Sequence, residues 1–522
     1  MSRLYLVLHS HIPFVKGKGR WPFGEVWLYE AMAETYIPLL TALGQMAELG
    51  INPRISLSFT PPLLRQLQDP YIQESFIAYL REKEAIATTD YRRFKAQGHR
   101  ELADLAEYYA AFYRQIWRQY ELEFERDLVG YINKLRQQGQ IEVLATAATH
   151  AYLPLIRDEQ SLRLQIDMGI STYKQCFGEQ PHGFWLPECG YSDSLDQLLA
   201  DRGIGYFFVD SHGVEGGKPQ VVSSYPLGQT SMEETYTART GLTTYQLYRA
   251  EHSPTVVFGR NALLSYQVWS HEHGYPGDAL YREFHRSAEI GGLKYWRVTD
   301  RLSPIGNKEL YDPVAARKKA LEHAGHFVGV LNNTAREAAK LGFNQPVLVA
   351  CYDTELFGHW WWEGVTWLEE LLRLLNQSDC QLTLPSTIEP QLMSLPQARV
   401  MESSWGMGGK HWGWYNEETE WMWDTINDAI SQVKQLPAQE QDEVVTNSRR
   451  QAWRELLLMQ SSDWFFMVTS NHTRDYAVSR FLDHYARLTR ICETVQNRDY
   501  SPDYQQWLSQ VIEEDSLFDD LP

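Results

Sequence analysis

The sequence has 522 residues and a formal net charge of -19 at pH 7. Its length accommodates a large catalytic domain together with one or two smaller domains. The acidic balance argues against nucleic acid as a partner, because phosphate contacts need a basic surface, but it does not exclude a neutral polymer. The 18 Trp and 30 Tyr exceed the needs of an ordinary core, so many are expected in a groove or at a surface.

The cysteines and the N-terminal segment bear on the cellular compartment. The five cysteines form no CxxC pair and predict reduced thiols in a cytosolic protein rather than a disulfide framework. The first apolar run is broken by His9 and His11 and is too short for a signal peptide. No stretch approaches the roughly 18 apolar residues of a membrane span. We therefore expect a soluble, cytoplasmic protein without membrane association.

Strand-like and helical segments alternate along the chain, and an amphipathic helix at Glu25–Leu49 follows the first strand. Such alternation predicts parallel strands joined by crossover helices, which is an α/β fold. A set of about seven strands favours a barrel, closed or incomplete, over an open sheet. The strands are predicted at Leu4–Leu8, Arg54–Phe59, Ile141–Ala145, Gly183–Leu186, Gly205–Val209, Thr255–Phe258 and Pro346–Ala350.

Two parts of the chain are predicted to be helical and separate from the barrel. Residues 62–139 are charged and mostly helical in pattern, which indicates an inserted helical subdomain. From about Leu395 the strand signals stop and helical periodicity continues to the end, which indicates a C-terminal helical domain at residues 396–522. The catalytic barrel would then comprise residues 1–61 and 140–395.

Two carboxylates follow buried strands far apart in the sequence. Glu188 comes after an apolar run and Pro187, and Asp353 comes after the run QPVLVACY. Barrels and other α/β enzymes place their chemistry at the carboxyl ends of such strands. Paired carboxyls near tryptophans suggest work on a carbohydrate, since glycosidic bonds break between such pairs. The alternative is that each acid caps a helix or pairs with an arginine.

Three histidines also lie near predicted strand ends. Alternation along the first strand places His9 and His11 on one face, and His150 follows the third strand. They are candidates for contacts with sugar hydroxyls, and His9 with His11 is also a candidate metal pair. The structural alternative is that they are hydrogen-bonded histidines at strand ends.

Further candidates for the groove come from the middle of the chain. Arg260 and Trp269 follow another strand, although a tryptophan in that setting also suits a core. The polar segment Gly228–His252 is long for a loop in a compact domain and is expected to be a lid or disordered. Tyr236, near its middle, is placed to close over a substrate.

A run rich in tryptophan and glycine lies at Glu402–Glu418. Trp405, Trp412 and Trp414 stand there among glycines, a composition uncommon for core tryptophans. We interpret the run as a stacking platform for sugar rings.

At these residues the chain resembles glycoside hydrolase family 57, and within it the 1,4-α-glucan branching group. The resemblance covers essentially the whole chain, and two of its motifs, WLPECGY and YDTELFGHWWWEG, are together highly specific. Five motifs match in order: His9–Pro13 (HSHIP), His150–Pro154 (HAYLP), Trp185–Tyr191 (WLPECGY), Tyr352–Gly358 (YDTELFG) and Ser462–Met467 (SDWFFM).

The resemblance implies an incomplete (β/α)7 barrel with an inserted helical domain and a C-terminal helical domain. It also implies that Glu188 is the nucleophile and Asp353 the general acid/base of a retaining mechanism. It implies a further set of residues in the substrate groove: His11, His150, Trp269, Trp405, Trp414, Asp463 and Trp464. The expected partner is an α-1,4-glucan, and no cofactor or metal is expected. The protein is expected to be a monomer or a small homo-oligomer.

Several functions remain open at this point. Attack of water on a Glu188 ester would make the enzyme a hydrolase, whereas attack of a glucan 6-hydroxyl would make an α-1,6 branch. A 4-α-glucanotransferase of the same family is a further alternative. A zinc-dependent deacetylase or mannosidase-like enzyme would use His9, His11 and Asp353 as ligands. A noncatalytic glucan-binding protein would explain the aromatics but not the two carboxylates.

Overall fold

The computed structural model describes residues 1–20, 23–217, 239–270, 274–289, 291–300, 302–437, 442–471 and 473–521, with only the backbone for 389–393. Among these residues, no helix is both long and apolar enough to cross a membrane.

A single curled sheet organises the N-terminal three quarters of the chain. Its order is β10-β6-β7-β5-β4-β3-β2-β1-β8, with β9 also paired to β1, and all pairs are parallel except β6 with β7. The strands are β1 (Ser2–Ser10), β2 (Ile55–Phe59), β3 (Ile141–Thr146), β4 (Gly183–Trp185), β5 (Tyr206–Val209), β6 (Tyr248–Ala250), β7 (Val256–Gly259), β8 (Val347–Asp353), β9 (Cys380–Leu382) and β10 (Gln397–Ala398). The seven predicted strands coincide with β1, β2, β3, β4, β5, β7 and β8.

The sheet is curled, because β7 and β8 are far apart in the strand order and yet lie close together in space. Just after β7, the amide of Asn261 donates to the carbonyl of Val349 in β8 at 2.8 Å. The alternation along β1 then separates two cores: Tyr5 and Val7 pack inside the curl, while Leu4 and its alternate neighbours pack against the helices. Both faces are thus covered, as a parallel sheet requires.

Helices cover the outside of the sheet and form the C-terminal part. The predicted helix Glu25–Leu49 is interrupted by one π-helical turn, Met32–Tyr36, a feature that often marks functional sites. The helices are α1 (Glu25–Ala31), α2 (Ile37–Glu48), α3 (Pro61–Gln68), α4 (Pro70–Ala96), α5 (Arg100–Arg118), α6 (Leu128–Gln137), α7 (Glu159–Phe177), α8 (Leu195–Ala200), α9 (Ser211–Glu215), α10 (Ala262–Trp269), α11 (Pro313–Lys340), α12 (Gly364–Leu375), α13 (Glu420–Lys434), α14 (Glu443–Met459), α15 (Ser462–Ser470), α16 (Arg474–Asn497) and α17 (Pro502–Glu514).

The C-terminal helices reach back to the sheet. The strand signals do not stop at Leu395 as expected, because the two-residue strand β10 follows it and pairs with β6. Beyond it, the start of α15 is hydrogen-bonded to the segment that follows β3, since the amide of Ser462 donates to the carbonyl of His150 at 3.1 Å. This contact brings the C-terminal helices to the carboxyl ends of the strands. The architecture is therefore α/β with a curled sheet and many helices.

Candidate active site

The carboxyl ends of the strands bring the predicted residues together. In the parallel pairing of β1 with β8, His9 is the register partner of Asp353. The turn that follows β4 carries Glu188. Because the strands run parallel, these ends share one edge of the sheet, where such folds place their sites.

Glu188 is held in a strained turn. Its φ is 61°, in the left-handed region, and that of Cys189 is 50°. Each such non-glycine residue costs on the order of 1–3 kcal/mol and persists only when its surroundings enforce it. One enforcing contact is the amide of Trp405, which donates to the carbonyl of Glu188 at 2.9 Å. This backbone conformation directs the Glu188 side chain towards Trp405 and Ser462.

Two donors fix the Glu188 carboxyl group. The indole Nε1–H of Trp405 donates to Oε2 at 2.6 Å, and the hydroxyl of Ser462 donates to Oε1 at 2.9 Å. Burial raises the pKa of Glu188 to about 7, while these two hydrogen bonds act to lower it. The donors therefore stabilise the ionised form in a site whose burial opposes it.

Asp353 lies in an anionic environment. Burial is the largest cause that raises its pKa well above the ordinary value, and the nearby charges of Glu355 and Glu188 raise it further, against Arg260. These influences all favour the protonated form of Asp353 over the carboxylate, except that of Arg260. The two carboxyl groups thus affect one another, and Asp353 is the one suited to give a proton.

The three histidines form a stack. The ring centroids of His11 and His150 are 4.1 Å apart, those of His9 and His150 are 4.7 Å apart, and His9 lies 5.1 Å from Trp185. Burial lowers the pKa values of His9 and His150 well below the ordinary value, so both are neutral at pH 7. Neutral rings carry both a donor and an acceptor nitrogen, as contacts to hydroxyl groups require.

Hydrogen bonds set the orientation of each histidine. His9 Nδ1 lies 3.1 Å from Ser58 Oγ, and His150 Nδ1 lies 2.8 Å from Ser462 Oγ. Ser462 therefore joins His150 to the Glu188 carboxylate. The φ of His150, 55°, is also in the left-handed region.

His11 is paired with the C-terminal helices. Its Nε2 lies 2.7 Å from Asp463 Oδ2 and its Nδ1 lies 2.8 Å from Thr60 Oγ1. Burial acts to raise the pKa of Asp463, but His11, the largest of the opposing influences, and the Ser461 hydroxyl bring it down to about 2. Asp463 is therefore ionised at neutral pH.

The candidate metal ligands differ from the set considered in the sequence. Among the described residues of this cleft, the group whose ligand atoms lie within 4.8 Å of one another is His11, His150 and Asp463, rather than His9, His11 and Asp353. In that group the His11 and Asp463 atoms already bond each other, which favours a structural contact over an ion site. The absence of a metal stays a prediction.

Arg260 and Trp269 both contact Trp405, the residue whose indole donates to Glu188. The Arg260 guanidinium is 3.2 Å from Asp210 and 5.0 Å from the Trp405 ring. Trp269 meets Trp405 edge to face, with 6.1 Å between centroids. Trp405 thus links these two side chains to the carboxylate.

Trp414 and Trp464 lie in the interior rather than at a groove surface. Each is 1% exposed. Trp414 stacks on Tyr152 with 4.2 Å between centroids, and the indole of Trp464 donates to the carbonyl of Leu458 at 2.8 Å. Neither indole therefore presents an open face for direct stacking on a sugar. Tyr236 lies outside the described residues.

Two site residues were not singled out from the sequence. Ser462 bridges Glu188 and His150, and Glu355 accepts hydrogen bonds from the amide of His11 at 3.1 Å and from the hydroxyl of Tyr36. Burial raises the pKa of Glu355 to about 7. Both residues lie inside quoted motifs, and the spacing of Glu355 two residues after Asp353 was the signal that could have identified it.

Two family models cover this chain. That of glycosyl hydrolase family 57 matches residues 5–402, and that of the 1,4-alpha-glucan branching enzyme C-terminal domain matches residues 423–522. The chain belongs to glycosyl hydrolase family 57, so the family resemblance of its motifs is confirmed.

Similar proteins include two branching enzymes by name. The 1,4-alpha-glucan branching enzyme of Thermococcus kodakarensis is 37% identical over 499 residues, which are 92% of this chain and 72% of that protein. A probable 1,4-alpha-glucan branching enzyme of Mycobacterium tuberculosis is 32% identical over 518 residues, which are 93% of this chain and 90% of that protein.

Solved structures share the whole architecture. The crystal structure of the Thermococcus enzyme superposes with a TM-score of 0.89 at 34% identity and covers 100% of this chain and 96% of that one. The alpha-amylase AmyC of Thermotoga maritima superposes with a TM-score of 0.83 at 29% identity, over 100% and 98% of the two chains.

Proposed function

We propose that this chain is a 1,4-α-glucan branching enzyme that works by a retaining mechanism. The observation that carries the proposal is that Glu188 and Asp353 lie half-buried at the carboxyl ends of the parallel strands of a family 57 fold. The names of the relatives and the match of the C-terminal part to a branching-enzyme domain support the transfer function.

In the first step, Glu188 acts as the nucleophile. One oxygen of its carboxylate attacks the anomeric carbon while the bond to the glycosidic oxygen breaks, and Asp353 gives its proton to that oxygen. The products are a glucan chain with a free 4-hydroxyl and a glycosyl ester on Glu188. For this step we expect the two carboxyl groups to lie about 5–5.5 Å apart in the complex.

In the second step, Asp353 acts as the base. It takes the proton of a glucan 6-hydroxyl, whose oxygen attacks the anomeric carbon and displaces the Glu188 carboxylate. This forms the α-1,6 branch and regenerates both carboxyl groups. If water attacks instead, the same ester is hydrolysed.

The remaining site residues bind and orient the glucan. The neutral imidazoles of His9 and His150, and His11 held by Asp463, are assigned to sugar hydroxyls, and Arg260 with the indoles of Trp269 and Trp405 to the wall beside Glu188. Tyr236 is assigned to the gate that shields the ester from water. Tyr236→Ala should lower the branches formed per cleavage and raise the release of reducing ends, while amylose cleavage stays measurable.

The proposal also includes the domain boundaries, the cellular location and the oligomeric state. We assign residues 1–61 and 140–395 to an incomplete (β/α)7 barrel, 62–139 to an inserted helical subdomain and 396–522 to a C-terminal helical domain that contributes to the groove. The enzyme would act in the cytoplasm on glycogen-like polymer, as a monomer or small homo-oligomer, without membrane, nucleic acid, cofactor or metal.

The deciding experiment is incubation with amylose. The product is debranched, and its chain profile is compared with the release of reducing ends. A branching enzyme should release few reducing ends during the incubation, and its product should yield new short chains when it is debranched. A hydrolase predicts reducing ends and no branches, and a 4-α-glucanotransferase predicts redistributed linear chains with neither. Activity that is lost to a chelator and restored by zinc would support the deacetylase-like alternative.

A further inference from the structure

One aromatic side chain on the loop that follows Asp353 faces outward. In residues 354–363 every side chain is buried or half-buried except that of Trp360, which is 48% exposed. Its neighbour Trp361 is 1% exposed. Nearly half of the Trp360 surface is therefore accessible to a ligand.

Trp360 is the outer ring of a stack. It lies on Phe284 with 4.3 Å between centroids and 26° between ring planes. The Phe284 ring is covered in turn by the ammonium of Lys294, whose Nζ lies 3.9 Å from the centroid, and by the edge of His359. We call Trp360 and Phe284 the aromatic platform.

The loop side of the aromatic platform is fixed to the π-helical turn Met32–Tyr36. Gly358 has φ 114°, and a Cβ there would lie 1.9 Å from the carbonyl oxygen of Glu34. The amide of His359 donates to the hydroxyl of Thr35 at 3.0 Å. The loop therefore cannot shift without breaking a close backbone contact.

The Phe284 side is fixed to the same turn. Arg282, two residues earlier, forms a buried ion pair with Glu34 at 3.1 Å, and its guanidinium lies 3.8 Å from the Trp362 ring centroid. Both halves of the aromatic platform are thus held in place before any ligand binds, which lowers the entropy cost of binding.

The aromatic platform is joined to the catalytic cleft by a short path. The amide of Trp360 donates to the carbonyl of Glu355 at 3.1 Å, and the carboxyl group of Glu355 contacts His11 and Tyr36. The loop that carries Trp360 is therefore continuous with the side of the site that carries Asp353.

We infer that the aromatic platform binds a segment of α-1,4-glucan that extends beyond the catalytic cleft. The inference rests on the proposed function, because it takes the same polymer as ligand. An exposed indole offers a flat apolar face to the C–H face of a pyranose ring and needs no charge on the ligand. A protein partner would need a wider apolar patch, whereas this loop exposes Trp360 alone.

Binding of amylose tests the inference in the Glu188→Gln background, which prevents turnover. We compare that parent with variants that also carry Trp360→Ala, Trp360→Phe or Trp421→Ala, using affinity electrophoresis through amylose. Trp421 is the matched control, since it is 38% exposed, on α13, and contacts Phe481 edge to face. Trp360→Ala should weaken binding about 2- to 10-fold, while Trp360→Phe keeps most of it and Trp421→Ala equals the parent.

Turnover provides a second readout in the active background. The ratio of kcat/KM for amylose to that for a short chromogenic maltooligosaccharide should fall in Trp360→Ala. Amylose affinity equal to the parent's, or an equal loss on both substrates, would overturn the inference. Failure of the unmodified enzyme to branch amylose would instead refute the proposed function, and the binding measurement would still decide whether the aromatic platform holds glucan.

Discussion

The wall of the cleft that carries Glu188 and the wall that carries Asp353 differ in what surrounds each carboxyl group. Around Glu188 the contacts are hydrogen-bond donors, Trp405 and Ser462, which come from the C-terminal third of the chain. Around Asp353 the second-largest influence is another carboxyl group, Glu355. Donors favour a carboxylate and an anionic neighbour favours a carboxylic acid, so the two walls prepare the two groups for opposite roles.

The two walls also differ in how the backbone is held. The Glu188 turn has a left-handed φ of 61° on a residue that is not glycine and is tied to Trp405. In the loop after Asp353 the residue with positive φ is a glycine, Gly358, which packs closely against the carbonyl of Glu34. One wall is therefore stabilised by contacts with distant residues, and the other by close backbone packing.

Replacement of Glu188, the proposed nucleophile, should have the most severe effect on catalysis. Glu188→Gln keeps the side-chain shape but cannot attack, so kcat should fall by roughly 10⁴-fold or more. Asp353→Asn should lose about 10²- to 10⁴-fold. A substrate whose leaving group needs no proton separates them: it should restore formation of the ester in Asp353→Asn and not in Glu188→Gln. Equal rescue of both variants would reverse or refute the assignment.

The packing of the Asp353 wall can be tested through stability. Gly358→Ala places a methyl group against the Glu34 carbonyl. It should lower the free energy of unfolding by about 2–4 kcal/mol, which is measured as a lower Tm. Gly342→Ala is the matched control, because its φ is 98° but no atom lies within 4 Å of the added Cβ. It should lose only about 1–2 kcal/mol from backbone strain. Equal losses would mean that the Gly358 contact does not fix the loop.

The sequence was sufficient for seven of the ten described strands and for the position of Glu188 and Asp353 at the carboxyl ends of strands. Continuous apolar runs mark buried parallel strands, and a charged residue directly after such a run must emerge at the sheet edge, as Glu188 and Asp353 do. The helix Glu25–Leu49 was also recognised, although nothing in its periodicity marks the π-helical turn at Met32–Tyr36.

Contacts between distant segments could not be predicted in this way. Ser462 lies 274 positions from Glu188, and only the folded C-terminal helices bring them together. The exposure of the tryptophans was also not predictable: Trp414, in a run rich in glycine, packs on Tyr152 in the core, whereas Trp360, in a run of three tryptophans, faces solvent. Loops lack the periodicity that assigns a face to each residue, so composition alone misplaced Trp414 and gave no position for Trp360.

The donors around Glu188 can be tested one at a time. Ser462→Ala removes the hydrogen bond to Oε1, so the pKa of Glu188, about 7 in the parent, rises. Since the ionised form attacks, the acidic limb of kcat/KM moves to higher pH, with a loss of about tenfold below pH 7 and little above it. Ser461→Ala is the control, because the Ser461 hydroxyl donates to Asp463 instead. A loss independent of pH would contradict the role given to Ser462.

The smallest expected effect belongs to Glu355. Its pKa is about 7, so its charge develops as the pH rises through that value and then favours the protonated form of Asp353. Glu355→Gln keeps an acceptor for His11 and Tyr36 but removes the charge. The pKa of Asp353 should therefore fall, and the alkaline limb of kcat/KM should move to lower pH, with a loss of about tenfold or less there and none on the acidic side.

Glu363→Gln is the matched control for this variant. Burial also raises the pKa of Glu363 to about 7, but its carboxylate accepts from the Tyr311 hydroxyl at 2.6 Å and the Arg282 amide at 3.2 Å. The alkaline limb should stay in place in Glu363→Gln. If both variants move it alike, a general change in the buried charge of this region explains the profile. If neither variant moves the alkaline limb, burial and not the charge of Glu355 raises the pKa of Asp353. Specific neighbours would then influence the carboxyl group only at Glu188.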